Sequence, residues 1–125
     1  IMDKIFFNLY KDLHSSSFIN TNPLKTFLFN TKQHVLILFY IASQPEKKST
    51  LEEICYNISG KIISRSTIQN ILKEGVLINF LKKEINEKDK REKYYKITEP
   101  ATKVLENWAI EQNNVFSAVN NLKLK

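Results

Sequence analysis

The sequence predicts a mainly α-helical domain with one small β-hairpin in its second half. Two glycines and three prolines punctuate 125 residues, which favours long helices over a many-stranded sheet with frequent tight turns. Apolar residues recur at helical spacing through most of the chain, and the spacing changes to that of a strand only between Asn79 and Thr98. The length, with 42% hydrophobic residues, suffices for one core, so a single domain over residues 1–125 is expected.

Asp3 to Leu13 places Ile5, Phe6, Leu9, Tyr10 and Leu13 on one stripe and reads as an amphipathic helix, broken by Ser15, Ser16 and Ser17. A second helix opens at Asn30 or Thr31, carries Val35, Leu36, Leu38, Phe39 and Ile41, and stops before Pro45. Glu46, Lys47 and Lys48 then form an exposed connection. Thr50 followed by Glu53 is a capping box, with Leu51, Ile54, Cys55 and Ile58 at the i, i+3, i+4, i+7 positions of a short third helix that ends near Ser59 and Gly60. Ser64 or Ser66 caps a fourth, whose inner side holds Ile68, Ile71, Leu72 and Gly75.

Asn79 to Ile85 and Tyr94 to Thr98 are β-prone, and the polar run Asn86 to Lys93 between them makes a hairpin loop. Thr98 caps a last helix with Pro100 in its first turn and an apolar stripe of Ala101, Val104, Leu105, Trp108, Val115, Phe116 and Val119. Trp108, Phe116, Ile5, Phe6 and Tyr10 are more apolar surface than thin terminal helices bury alone, so residues 3–29 and 99–122 are expected to form a twofold dimer interface. The alternative is that these side chains fold back onto their own core.

The formal charge of +6 and pI near 9.4 point to an anionic partner. The excess lies where the chemistry would use it, with about +2 over residues 61–75 and about +3 over residues 82–96. Two short helices across a tight turn, followed by a hairpin, are the layout of a winged helix-turn-helix, whose second short helix enters a DNA major groove. With Ile68 facing inward, the outward arc of that helix holds Ser66, Gln69, Asn70 and Lys73, bordered by Arg65 and Thr67, with Ser64 at its cap.

Those residue types suit the task. Arginine bonds guanine O6 and N7, asparagine and glutamine pair with adenine, serine and threonine serve base or phosphate, and lysine neutralises phosphate. The bland alternative is an ordinary solvated helix face. In the hairpin loop, Lys88, Lys90, Arg91 and Lys93 are candidates for backbone or minor-groove contact, led by Arg91 and Lys90, and Asp89 is placed to brace Arg91.

Residues 31–98 resemble the DNA-binding core of the MarR (multiple-antibiotic-resistance regulator) family. The pieces are Thr31-Lys32-Gln33-His34, Leu51-Glu52-Glu53-Ile54, Ser64-Arg65-Ser66-Thr67-Ile68, the run Leu72 to Ile78, Asp89-Lys90-Arg91 and Ile97-Thr98-Glu99. The resemblance implies a homodimeric regulator of transcription that binds double-stranded DNA. Residues 64–74 would lie in the major groove and the wing, residues 86–93, at the minor groove, with the first and last helices pairing the two copies. A small aromatic effector would suit the family, although no residue here demands one. Pro100, Ala101 and the longer turn through Gly60, Lys61, Ile62 and Ile63 depart from the family's pattern.

Other chemistries find little footing. There is no phosphate-cradling glycine loop, serine elbow or cysteine-nucleophile motif, so no enzyme and no cofactor are expected. His14 and His34 are far apart, without ligands at metal spacing, and no metal is expected. Cys55 lies on an apolar stripe and reads as structural. Val35 to Ala42 is too short to cross a bilayer, and no secretory signal is apparent, so a cytoplasmic location is expected. A winged-helix module that binds another protein and never touches DNA is the competing function, since a fold does not fix a function.

Overall fold

The computed structural model describes residues 2–16 and 22–123, with side chains for residues 2–14 and 22–117. In chain order the elements are α1 (Met2–Ser16), α2 (Pro23–Leu28), α3 (Lys32–Ser43), β1 (Lys48–Thr50), α4 (Leu51–Asn57), α5 (Arg65–Leu77), β2 (Leu81–Ile85), β3 (Lys93–Ile97) and α6 (Glu99–Lys123). The expected mainly helical, winged architecture is present, with two additions. Ser17 and the side chain of Val119, both used in the sequence reading, lie outside the described residues, and α1 continues through Ser15 to Ser16.

The first addition is α2, opened by Asn22, whose side-chain oxygen accepts from the Lys25 N–H at 3.2 Å, with Pro23 at the first helical position. It places Phe27 and Leu28 in the core, so part of the 3–29 segment belongs to the winged core itself. The second is β1. Lys48, expected in a connection, lies in a strand opposite Lys96, and the hairpin becomes a three-stranded antiparallel sheet in the order β1-β3-β2. Leu81 pairs with Ile97 and Ile85 with Lys93, so β2 starts two residues later than the period suggested.

Local chemistry sets the helix starts. Thr31 Oγ1 accepts from the His34 N–H, and Thr50 Oγ1 from the Glu53 N–H at 3.1 Å. The Glu53 carboxylate accepts from Ser49 Oγ, one residue before the cap, rather than reaching back to the cap's own N–H. Leu28, Ile37, Leu38, Ile41, Ile54, Ile68, Leu72, Phe80 and Leu81 are almost wholly buried and fuse α2 to α5 and the sheet into one core. Each contributes about 1.5–3 kcal/mol relative to exposure.

Where α5 ends, Asn79 takes a left-handed backbone (φ 66°), its N–H donates to the Val76 carbonyl at 3.2 Å, and the Phe80 N–H donates to the Gly75 carbonyl at 2.9 Å. This is a Schellman stop with asparagine in the position glycine commonly takes. The Phe80 carbonyl in turn accepts from the Thr98 N–H and hydroxyl, and Thr98 Oγ1 accepts from the Ala101 N–H at the start of α6. One joint therefore ties the end of α5, the start of β2 and the start of α6.

Trp108 and Ile5, expected at a dimer interface, face their own chain. Ile5 is buried, and Trp108 packs against Phe29 and Phe39 with ring centroids 5.5 and 5.6 Å away. Trp108 Nε1 also donates to Asp12 Oδ2 at 3.1 Å, while the other oxygen of Asp12 is bonded by the Lys25 ammonium. Asp12 thus ties α1 to both α2 and α6. Asp12→Ala removes two charge-assisted bonds and is expected to lower stability by about 2 kcal/mol. For a chain of this size that is a fall of about 5–10 °C in Tm by calorimetry. An unchanged Tm would show that the ties contribute nothing.

His34 lies buried between α2 and α5. Its Nδ1 is 2.7 Å from Thr31 Oγ1, its ring meets Phe27 edge-on, and Nε2 is 3.8 Å from a Glu74 carboxylate oxygen. Burial pushes its pKa below the ordinary value of 6.5, with the Glu74 charge a smaller opposing influence. The unfolded chain therefore binds this proton more readily. Stability is full above pH 6.5 and is expected to decline as pH falls below it, by an amount that His34→Gln abolishes in parallel urea titrations.

Candidate nucleic-acid interface

α5 begins where Ser64, in extended conformation, accepts the Thr67 N–H on its Oγ at 3.2 Å. Its hydroxyl also donates to Thr67 Oγ1 at 2.9 Å, so Ser64 and Thr67 are spent partly on building the helix start. Ile62 and Ile63 donate their N–H groups to the Ser59 carbonyl, and Ile63 is buried, so the longer turn is a compact one anchored to the core. Because Ile68, Ile71, Leu72 and Gly75 face inward, Ser66, Gln69, Asn70 and Lys73 stand exposed on the opposite side.

Gly75 allows the close approach behind this helix. A Cβ there would lie 2.8 Å from Leu81 Cδ1 and 3.4 Å from the Phe27 ring, against side chains that are themselves buried.

The wing is folded by its own polar groups. The Asn86 N–H donates to the Glu92 carbonyl and its side-chain amide to the Glu92 carboxylate, both at 3.0 Å, while its side-chain oxygen accepts from the Lys88 N–H. Asp89 Oδ1 accepts from the Arg91 N–H at 3.0 Å and from Arg91 Nε at 3.4 Å. Lys88, Lys90, Arg91 and Lys93 are exposed, the Arg91 side chain at 93%. An open groove of about 570 Å³ lies between the first turn of α4 and the wing, with Glu52, Asp89, Arg91, Lys93 and Tyr95 on its walls.

Two features of this surface were not read from the sequence. Arg65 is met by Glu52 of α4: Nη1 and Nη2 donate one bond each, at 3.2 and 2.5 Å, to the two carboxylate oxygens. The hydrogen bonds and charge of Arg65 hold the Glu52 carboxyl below its ordinary pKa, and Glu52 raises that of Arg65 in return. The two residues are thirteen apart and meet only because the turn folds α4 against α5. The second feature is a row of lysines across the sheet, Lys48–Lys96–Lys82 in register, all with ammonium groups 3.8–4.0 Å from Glu84. Lys48 also sits 4.7 Å over the Tyr94 ring.

Cys55 is partly buried against the core. Among the described residues no group of three His, Cys, Asp or Glu side chains could hold a metal ion, and no helix is long and apolar enough to cross a membrane.

An outward polar helix beside a cation-bearing hairpin defines a class, the winged-helix DNA-binding domains. The sequence profile of the winged helix DNA-binding domain family matches residues 31–101, more than half the chain, and the protein belongs to that family. Among solved structures, AbsC, a MarR family transcriptional regulator from Streptomyces coelicolor, superposes with a TM-score of 0.55 at 14% identity, over 91% of this chain and 75% of that one. Sco3205, a MarR family regulator from the same organism solved in complex with DNA, gives 0.51 at 17% identity, over 86% of this chain and 68% of that one. At such identities the likeness is one of fold, and it meets the MarR resemblance seen in residues 31–98. No curated protein matches the chain by sequence.

Proposed function

We propose that the protein is a cytoplasmic, homodimeric transcriptional regulator that recognises a specific duplex DNA sequence and performs no catalysis. α5 enters the major groove with Gln69 and Asn70 reading bases, Arg65, Ser66 and Thr67 at its leading end, and Lys73 on phosphate. The wing lies at the minor groove, where Arg91, braced by Asp89, and Lys88, Lys90 and Lys93 meet the backbone. The observation that carries this reading is the division of α5 itself: its apolar side is sealed into the core while four uncharged or cationic hydrogen-bonding side chains, Ser66, Gln69, Asn70 and Lys73, stand in solvent.

Pairing of two copies is supported by what α1 and α6 leave uncovered. Phe6, Phe7, Tyr10 and Leu13 on α1 and Ile110 and Phe116 on α6 are each about half exposed or more. A twofold partner of the same chain covers such a surface and sets two α5 helices about one DNA turn apart.

Selection of bound duplexes from a random pool, followed by binding at several salt concentrations, tests the whole reading. A pseudo-palindromic sequence bound with a steep salt dependence is the expected result. Failure to enrich any duplex, or capture of a protein partner through this face with no affinity for DNA, would overturn it.

A further inference from the structure

The chain contains two arginines, Arg65 and Arg91, and both stand on the surface assigned to DNA. Each is met by a carboxylate: Glu52 holds Arg65 at two points, and Asp89 holds Arg91. A carboxylate on a surface that receives a polyanion weakens binding to every sequence alike, by repelling phosphate and by offsetting the cation beside it. Glu52 is also well exposed, its side chain 72% accessible, so the pair is not a means of burying charge. Exposed pairs of this kind add little to stability.

We propose that Glu52 is a specificity-determining residue: by gripping the end of Arg65 it withholds that guanidinium from phosphates and confines it to a base, so that preference for a G·C pair at one operator position depends on Glu52. The inference rests on the DNA-binding reading above.

The hydrogen-bond inventory supports this. A guanidinium has five N–H donors, and the two-point bond to Glu52 uses one from Nη1 and one from Nη2. The remaining donors include a second fork, formed by Nε with its neighbouring terminal nitrogen, which matches the O6 and N7 acceptors of guanine. Such matched bonds depend on direction and spacing, and they survive when the net charge of the pair is zero. Attraction to phosphate depends mainly on net charge and does not. Glu52 keeps lone pairs free to accept from cytosine N4, the donor on the opposite strand of the same base pair.

Holding Arg65 in one orientation also removes the rotamer freedom with which a bare arginine would settle on any phosphate in reach. Arg65 in turn holds the Glu52 carboxyl below its ordinary pKa, chiefly by hydrogen bonding, which favours the ionised, paired form.

The test uses the full chain with the duplex selected from the random pool and an unrelated duplex. Glu52→Gln is expected to bind the unrelated duplex more tightly at low salt and to steepen the slope of log K against log salt by about 0.9, the release expected for one more phosphate contact. Discrimination against replacement of one G·C pair is expected to fall by up to about 5-fold, the most that an exposed ion pair supplies to orienting its arginine. In an Arg65→Ala background, Glu52→Gln is expected to leave discrimination unchanged, any rise in affinity being shared by both duplexes, which separates positioning from a general effect of removing a negative charge. Glu52→Ala, checked for an unchanged Tm, repeats the comparison without an amide.

The proposal is overturned if Glu52→Gln leaves slope and discrimination as in the parent, or if it lowers discrimination equally in the Arg65→Ala background. Failure of the parent to bind any duplex would instead bring down the DNA-binding reading, and this inference with it.

Discussion

Asn70→Ala is expected to lose about 5- to 150-fold in discrimination at one or two operator positions, the range for a lost bidentate base contact, with little change in affinity for random duplex. The same pattern at a neighbouring position is expected for Gln69→Ala. Both side chains are exposed on the face of α5 opposite Ile68, so their removal leaves core and helix intact. Lys73→Ala is the internal contrast, because an ammonium on phosphate carries no sequence information. It is expected to weaken binding to all duplexes and to flatten the salt slope by about 0.9. Arg91→Ala at the wing is expected to behave like Lys73→Ala, with an added loss wherever the flanking minor groove is narrow. Operator titrations of the four variants at three salt concentrations distinguish the two behaviours. Uniform effects across them would mean that α5 does not read bases.

The largest expected effect on stability is that of Phe80→Ala. The ring is fully buried, 5.7 Å from that of Phe27, and the residue's N–H and carbonyl close the α5 stop and receive Thr98. Truncating a buried phenylalanine costs about 3–5 kcal/mol in lost transfer energy and in the cavity left behind. Against a total of roughly 5–15 kcal/mol for a domain, that loss removes a large share of the stability and lowers the urea midpoint in proportion. Urea titration of Phe80→Leu, which retains most of the volume, is expected to show a much smaller loss. Equal losses for Ala and Leu would mean that ring shape, rather than filled space, is what the site requires.

What could be read in the sequence was what is local. The cap at Ser64, the capping residue Thr50, the division of α5 into an apolar and a polar side, and the change of period after Val76 are all set by neighbours within about one helical turn. The outward set of Ser66, Gln69, Asn70 and Lys73 followed directly from that division.

What could not be read depends on distant partners. β1 is three residues long and exists by pairing with β3, more than forty residues away, so no periodicity announces it. α2 has six residues, too few for an amphipathic repeat, although Asn22-Pro23 is a helix-start signal that a closer reading of caps would use. Asp12 reaches Trp108 across ninety-six positions, and with that bond the tryptophan turns inward from the surface on which its size alone would place it. Glu52 escaped notice for the same reason, since the α5 face looks free of acid until a residue from α4 is folded beside it.

The joint at Phe80 and Thr98 gives the molecule the mechanics of a calliper. α6 extends 25 residues from that point, about 37 Å at the ordinary helical rise, and Thr98 at its root bonds the carbonyl of Phe80, the residue whose N–H closes α5 and which leads into β2. In a pair joined along such arms, a few degrees of pivot at the far ends displace the tips by several ångströms. In the proposed homodimer, spacing between the two half-sites would thereby be set at the far ends of α6.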